Sequence, residues 1–412
     1  KMQQAWNPLV RCTQFMNRGK EVIKVINQWA KFAALSVIVS SSYALAQGTA
    51  TLMPSPPQLA ASSYILIDVD SGKIIVESNA DERLPPASLT KMMTSYIVSS
   101  ELVKGNISSD DAVPISVKAW RMGGSKMFIR EGTTVPVKDL LKGVIIQSGN
   151  DASVALAEFV AGDEGAFAEV MNQQASLLGM QKTNFVNATG WPAKGHLTTA
   201  RDLSVLATSL IRHFPDHYTL YSQKEFTFNG ITQPNRNGLL WRDASVDGLK
   251  TGHTDEAGYC LVASAKRDDM RLVSVVMGAK SGRGREQETQ KLLSYGFRYY
   301  ETHQLYNAEQ VINSPRLWAG ASPSLDLVLA DPIVLTIPRG QRDNLQVTIE
   351  VDNNIVAPIL AGQSYGLLNI SLNGEVLEQR ELLAANNIDS AALFSRLWDH
   401  FILFVRGIFG LD

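Results

Sequence analysis

The sequence predicts an α/β layer carrying an all-helical insertion, followed by a small all-β domain and a terminal amphipathic helix. Three observations predict it. Strand-type runs lie at both ends of residues 61–305, with helical spacing between them. Short β-type runs broken by Pro, Gly and Asn follow, and large aromatics then recur three and four apart near the end.

Residues 1–31 hold six Lys/Arg against Glu21. The uncharged run Phe32–Val39 follows, then Ala44-Leu45-Ala46. A basic segment, an apolar stretch too short to span a bilayer and small residues at a cleavage site describe an export signal over 1–46. Met16 offers a start that would leave a basic segment of ordinary length. The mature chain is expected to begin near Gln47 and to work outside the cytoplasm, with 47–60, which contains Pro54-Ser-Pro-Pro57, as a linker.

Tyr64–Val69 and Lys73–Glu77, joined through Asp70-Ser71-Gly72, predict a β-hairpin. Pro85-Pro86-Ala87 precedes a helix from Ser88 to about Val103. Residues 137–215 are expected to be mostly helical, with Val137–Gln147, Asp151–Val160 and Ala166–Leu178 as its clearest segments. Strand character returns at Tyr259–Lys266 and Met270–Ala279, and a helix follows from about Arg285 to Tyr300. The first domain therefore covers 61–305.

Over 306–386 the runs Leu325–Leu329, Ile333–Ile337, Leu345–Val351 and Leu367–Leu372 predict the all-β domain. Residues 387–412 form the terminal element, with a helix over Ile388–Ile408. Its charged and His positions leave no apolar stretch long enough to cross a membrane. Phe394, Trp398, Phe401, Phe404 and Phe409 favour a helix lying in a membrane interface, although a helix docked on the β-domain has the same spacing.

Composition narrows the class without naming a function. Hydrophobic residues at 45% and charged residues at 19% suit a globular chain with a sizeable core. A net charge of −2 gives no footprint for nucleic acid. Two cysteines exclude a disulfide scaffold; Cys12 falls in the signal, and Cys260, inside an apolar strand, reads as a small buried hydrophobe. No cofactor motif is present. His213 and His217 are separated by Pro215, which breaks the helix that would align them on a metal. His196 sits in too generic a setting to assign.

Ser88-Leu-Thr-Lys91 is the one Ser-x-x-Lys in the chain. A spacing of three puts hydroxyl and amine on one helix face. A serine needs an adjacent base to act as a nucleophile, and Lys91 can be that base only when neutral. Deprotonating an ordinary lysine at pH 7 costs roughly 4–5 kcal/mol, so burial or a second cation must lower its pKa. A positive Lys250 nearby is expected to help. Ser148-Gly-Asn150 follows between two helices, where Asn150 fits a helix cap as well as a binding role. Lys250-Thr251-Gly252 precedes the strand at Tyr259, and its glycine would let a substrate backbone approach closely. Each motif alone is weak; in this order the three form the set used by penicillin-recognising serine enzymes.

The stretches Asn79–Met93, Gln147–Ala152 and Val246–Thr254 resemble the low-molecular-mass penicillin-binding proteins that are D-alanyl-D-alanine carboxypeptidases. That resemblance implies the penicillin-binding-protein/β-lactamase-like transpeptidase fold, an antiparallel sheet with flanking helices. It also implies a peripheral position on the periplasmic side of the inner membrane, held by the C-terminal helix. Ser88 would attack the bond between the two terminal D-alanines of a peptidoglycan stem peptide, and Lys91 would take its proton. Backbone N–H groups of Ser88 and His253 would form the oxyanion hole. Ser148 and Lys250 would relay protons, and Asn150 would hold the substrate amide. Thr251, beside Gly252, would meet the terminal carboxylate, with Arg285 as a more distant cation; a solvated arginine at a helix start fits Arg285 equally. β-Lactams would be covalent inhibitors, and no cofactor is implied.

A class A β-lactamase shares the three motifs but needs a glutamate roughly 35 residues after Ser-x-Asn to activate the deacylating water. No glutamate occurs from Val170 to Lys224. An endopeptidase or transpeptidase on the same fold stays open, as does a binding module that has lost turnover, although every motif position holds a competent side chain.

Overall fold

The computed structural model describes residues 53–409. The export signal expected over 1–46 lies outside the described residues. Strands β1 (Ser63–Asp68) and β2 (Ile74–Ser78) form the expected hairpin. A 3₁₀ turn at Ala87–Thr90 leads directly into helix α1 (Lys91–Val103). The insertion contains α2 (Val137–Ile146), α3 (Asn150–Ala161), α4 (Glu164–Leu177) and α5 (Ala200–His213). Residues 178–199, inside the stretch expected to be mostly helical, form an irregular loop. Asn187 organises that loop by accepting the backbone N–H groups of Thr189, Gly190 and Trp191, which competes with helix formation.

The chain then returns to the sheet through β3 (Val246–Thr254), β4 (Gly258–Arg267) and β5 (Met270–Ala279), followed by α6 (Gly282–Tyr299). Strand order is β2-β1-β5-β4-β3, and every adjacent pair is antiparallel. Both faces of this sheet are covered, so β1 is buried throughout and reads as a continuous apolar run. Ile65 and Ile67 face the core shared with the helical insertion, while Tyr64 and Leu66 face α6 with Leu292, Leu293 and Phe297.

Strand β6 (Tyr300–Tyr306) follows α6 with no linker, and the boundary expected at residue 305 falls inside it. The insertion is not all helical as expected, since Ala112–Pro114 pairs with Thr134–Pro136 and Glu225–Phe228 with Ile231–Pro234. After β6 come β7 (Val311–Asn313), β8 (Leu327–Val328), β9 (Ile333–Pro338), β10 (Leu345–Val351), β11 (Ser364–Leu372) and β12 (Glu375–Ala384). β6 pairs with β9, and the others form an antiparallel sheet in the order β7-β8-β12-β11-β10 around a separate apolar core. Helix α7 (Leu393–Phe409) ends the described chain. None of its residues is buried, so it is not a core helix of the β-domain. It is nevertheless pinned there: Asp399 accepts the Ala319 N–H at 2.8 Å. Among the described residues, no helix is long and apolar enough to cross a membrane.

One buried carboxylate ties the two parts together. Asp68, at the end of β1, accepts from the Asp70 and Ser71 N–H groups, the Ser71 hydroxyl and the Thr302 hydroxyl of β6. The Ser71 and Thr302 hydroxyls both meet Thr336 of β9. Asp68→Ala strands these donors in a dry interface, where each unsatisfied group costs about 1–3 kcal/mol. We expect a loss of about 2–4 kcal/mol, read as a lower melting temperature.

Candidate active site

Ser88 sits half-buried in the 3₁₀ turn, and Lys91 is the first residue of α1 beneath it. Lys91 Nζ lies 3.0 Å from Ser88 Oγ and 2.6 Å from the Thr189 carbonyl oxygen. The amine is 1% exposed. Burial foremost and the charge of Arg236 next, against the opposing charge of Asp151, bring its pKa from 10.5 to about 7. Near neutrality the amine can therefore donate one N–H to Thr189 and direct its lone pair at the Ser88 hydroxyl. That arrangement is a nucleophile with its base.

The expected contribution of Lys250 to this shift is a correction. The neighbouring cation that depresses Lys91 is Arg236, which donates to the Gln147 carbonyl at 3.1 Å. Lys250 is itself buried and pushed well below the ammonium range by burial, Lys91, Arg236 and Arg285. An amine buried among Lys91, Arg236 and Arg285 is disfavoured as a cation, so Lys250 is a poor fixed positive charge. Its Nζ donates to the Thr251 carbonyl at 3.1 Å. No motif marks Arg236, which acts from a loop by charge alone.

Ser148 has a backbone φ of +62°, in the left-handed region that costs a non-glycine residue of order 1 kcal/mol or more. Its hydroxyl is buried and makes no hydrogen bond among the described residues. A strained turn that holds an unsatisfied hydroxyl is consistent with a group kept for a ligand. Asn150 opens α3 without capping it. Its side chain donates to the Gly123 carbonyl at 2.8 Å and its N–H to the Ser125 carbonyl at 2.7 Å. Asp151, unassigned from sequence, accepts the N–H groups of Met127, Phe128 and Ile129, so it fixes the loop facing Ser88.

On β3, Thr251 is buried and His253 exposed, with the imidazole 3.9 Å from the Tyr259 ring. Gly252 serves a different approach from the one expected. A Cβ there would meet Pro86 O, Ala87 Cβ and Leu89 Cγ at 3.1–3.3 Å, so the missing side chain lets the strand press on the nucleophile's own turn. Arg285 is not a solvated residue. It donates from Nη1 to the Gly252 carbonyl at 3.0 Å, which braces β3 from behind.

These elements enclose a cleft of about 480 Å³, whose lining includes Ser88, Ser125, Asn150, Thr189, Trp191 and His253. Lys91, Lys250 and Thr251 lie in the protein beside it. Cys260 is buried, and its thiol is pushed up to about 11, which keeps it a packing residue. The loop 189–192 forms the wall opposite β3. There Gly190, at φ +81°, lies so close to the Ala87 carbonyl that a Cβ would collide with it. Gly190→Ala must displace Ala87, next to the nucleophile. We expect acylation to fall about 100-fold or more, measured with a reporter penicillin.

The chain matches two family models. Residues 50–281 match "D-alanyl-D-alanine carboxypeptidase" and residues 300–390 match "Penicillin-binding protein 5, C-terminal domain". It is 42% identical over 386 residues to D-alanyl-D-alanine carboxypeptidase DacA of Escherichia coli (strain K12), covering 92% of this chain and 96% of that one. The structure is similar to penicillin binding protein 5 from Haemophilus influenzae, with a TM-score of 0.79 and 42% identity over 82% of this chain and all of that one. It is also similar to Penicillin-Binding Protein D2 from Listeria monocytogenes in the ampicillin-bound form, with a TM-score of 0.55 and 33% identity over 59% of this chain and all of that one. With its nucleophile–base pair, sheet and β-domain in place, the chain belongs to the D-alanyl-D-alanine carboxypeptidase family.

Proposed function

We propose that the protein removes the terminal D-alanine from peptidoglycan stem pentapeptides through an acyl-enzyme on Ser88. The observation that carries this reading is the 3.0 Å contact between Ser88 Oγ and a buried Lys91 whose pKa is near 7. Ser88 Oγ attacks the carbonyl between the two D-alanines as Lys91 takes its proton. Collapse of the tetrahedral intermediate breaks the peptide bond, and the departing amine collects a proton from the Lys91, Ser148 and Lys250 group. Water then attacks the ester, giving its proton to Lys91, and frees the shortened peptide and Ser88. Asn150 holds the substrate amide and Thr251 receives the terminal carboxylate.

A β-lactam acylates the same serine, as the ampicillin-bound relative suggests. The stretch from Val170 to Lys224 offers no glutamate to activate water against that ester, so the drug stays attached. The test is D-alanine release from an acylated Lys-D-Ala-D-Ala peptide, with fluorescent penicillin labelling in parallel. Release with stable labelling supports a carboxypeptidase. Release of D-alanine that depends on an added amine, with the acyl peptide joined to that amine, would replace hydrolysis by transpeptidation.

The same reading puts the protein outside the cytoplasm, exported by its N-terminal segment and held on the periplasmic face of the inner membrane by α7. Phe394, Trp398, Phe401, Phe404 and Phe409 of that helix are all more than half exposed, an apolar area suited to a bilayer interface. Flotation with lipid vesicles tests the anchor. Protein lacking residues 387–412 should remain at the bottom of the gradient.

A further inference from the structure

His196, which no motif assigns, is 4% exposed and lies behind the nucleophile's turn. Its imidazole joins two segments of the chain. Nδ1 faces the Val186 N–H at 3.3 Å and accepts it, which leaves Nε2 to donate to the Thr90 hydroxyl at 2.9 Å. The imidazole is neutral near pH 7, because burial foremost and the charge of Lys91 next bring its pKa to about 4. Phe185 meets it edge to face, with the ring centroids 5.9 Å apart.

Thr90 is fully buried and immediately precedes Lys91. Val186 lies three residues before Thr189, whose carbonyl accepts Lys91 Nζ at 2.6 Å. His196 therefore closes a circuit. It runs from Lys91 to Thr189, back along the loop to Val186, through the imidazole to Thr90, and across one peptide bond to Lys91. Thr94 adds a rung by donating to the Ala188 carbonyl at 2.7 Å. Of these three ties between α1 and the loop, the one from Thr90 alone passes through a third side chain. The fit there is close: a Cβ at Gly190 would lie 2.9 Å from Thr90 Oγ1.

The Thr189 carbonyl decides where the Lys91 lone pair points. By taking one N–H of the amine, it turns the lone pair toward Ser88 Oγ, 3.0 Å away. On its other side His196 borders an open cleft of about 440 Å³, so the imidazole stands between that water and the Thr90–Lys91 turn. Resting on the reading of Lys91 as the base, we propose that His196 is a positioning residue for acylation. Through Thr90 and the Thr189 carbonyl it aims Lys91 at Ser88, and it screens the amine from the water of the adjoining cleft.

The test follows the rate of fluorescent penicillin labelling of Ser88 between about pH 5 and 9, with the amount labelled at completion counting folded sites. Labelling reads acylation whether or not D-alanine is released, so its outcome is separate from the carboxypeptidase reading. His196→Ala removes both hydrogen bonds and opens the turn to the cleft. Its rate per folded site should fall about 30-fold at pH 7. The inflection expected near 7 should move up by about one pH unit as the amine gains water. Arg236 and Asp151, whose charges bear on Lys91, and the neighbouring amine of Lys250 all stay in place. His196→Gln offers a carbonyl to Val186 and an N–H to Thr90, and should bring the rate within about threefold of the parent's. His196→Asn serves Val186 but is too short for Thr90; it should fold and acylate slowly. Fewer labelled sites in His196→Ala, with rate per site and inflection unchanged, would reduce His196 to a folding role and overturn the proposal. If His196→Ala labels no sites, the other two variants decide: a fast Gln with a slow Asn supports the proposal, and equal rates overturn it. A parent without the inflection would remove Lys91 as the base and the proposal with it. An inflection in the parent that all three variants share, at the parent's rate, would overturn the proposal alone.

Discussion

Ser88→Ala is expected to lower D-alanine release by about 10⁴-fold or more and to abolish covalent penicillin labelling. The hydroxyl is the group that Lys91 contacts at the mouth of the cleft, and no neighbouring side chain can replace it. Ser148 Oγ is buried without a partner, and the Cys260 thiol is buried and protonated. The variant should keep its fold, because Lys91 retains its bond to Thr189 and Ser88 is not part of the packed core. A melting temperature within a few degrees of the parent's, with activity at background, is the result to look for. Appreciable release by a folded variant would exclude Ser88 as the nucleophile.

The second large effect belongs to Lys91 and is read through pH. Its neutral form is the base, so the acylation rate should rise with pH, turn over near 7 and level off above it. Lys91→Arg keeps a charge that no accessible pH removes; it should lose acylation by about 10³-fold or more and show no such inflection. Stability carries a linked signature. The folded pKa is about 7 and the unfolded one 10.5, so between those values the unfolded chain binds more protons. This group's contribution to stability therefore rises with pH across that window, by up to about 1.4 kcal/mol per unit. Below pH 7 the full penalty of a buried ammonium is present. Lys91→Met removes both penalty and slope, so the inactive variant should melt higher than the parent at pH 6. Equal melting temperatures at pH 6 and 9 in both proteins would show that Lys91 is not held neutral by its surroundings.

What was legible in the sequence follows from how far each signal reaches. Ser88 and Lys91 are one turn apart, so their contact could be read from spacing alone. The β1–β2 hairpin and β5 announce themselves as apolar runs with turn residues between. The loop 178–199 did not, because it is held by single side-chain contacts: Asn187 to its own backbone and Lys91 to Thr189. Strand β12 was missed for a different reason. Glu375, Glu378, Arg380 and Glu381 give it no apolar signature, and its place comes from pairing with β11. Arg236 and Asp151 were invisible as site residues, one acting through space and the other through three backbone amides.

The carboxylate of Asp68 has a mechanical consequence. It clamps the end of β1 to β6, which leaves α6 with no slack residues, and Thr336 closes the same joint from β9. A joint of this kind transmits torque where a hinge would dissipate it. Turning the β-domain swings the Ser88 cleft through the same angle, like the head of a wrench following its handle.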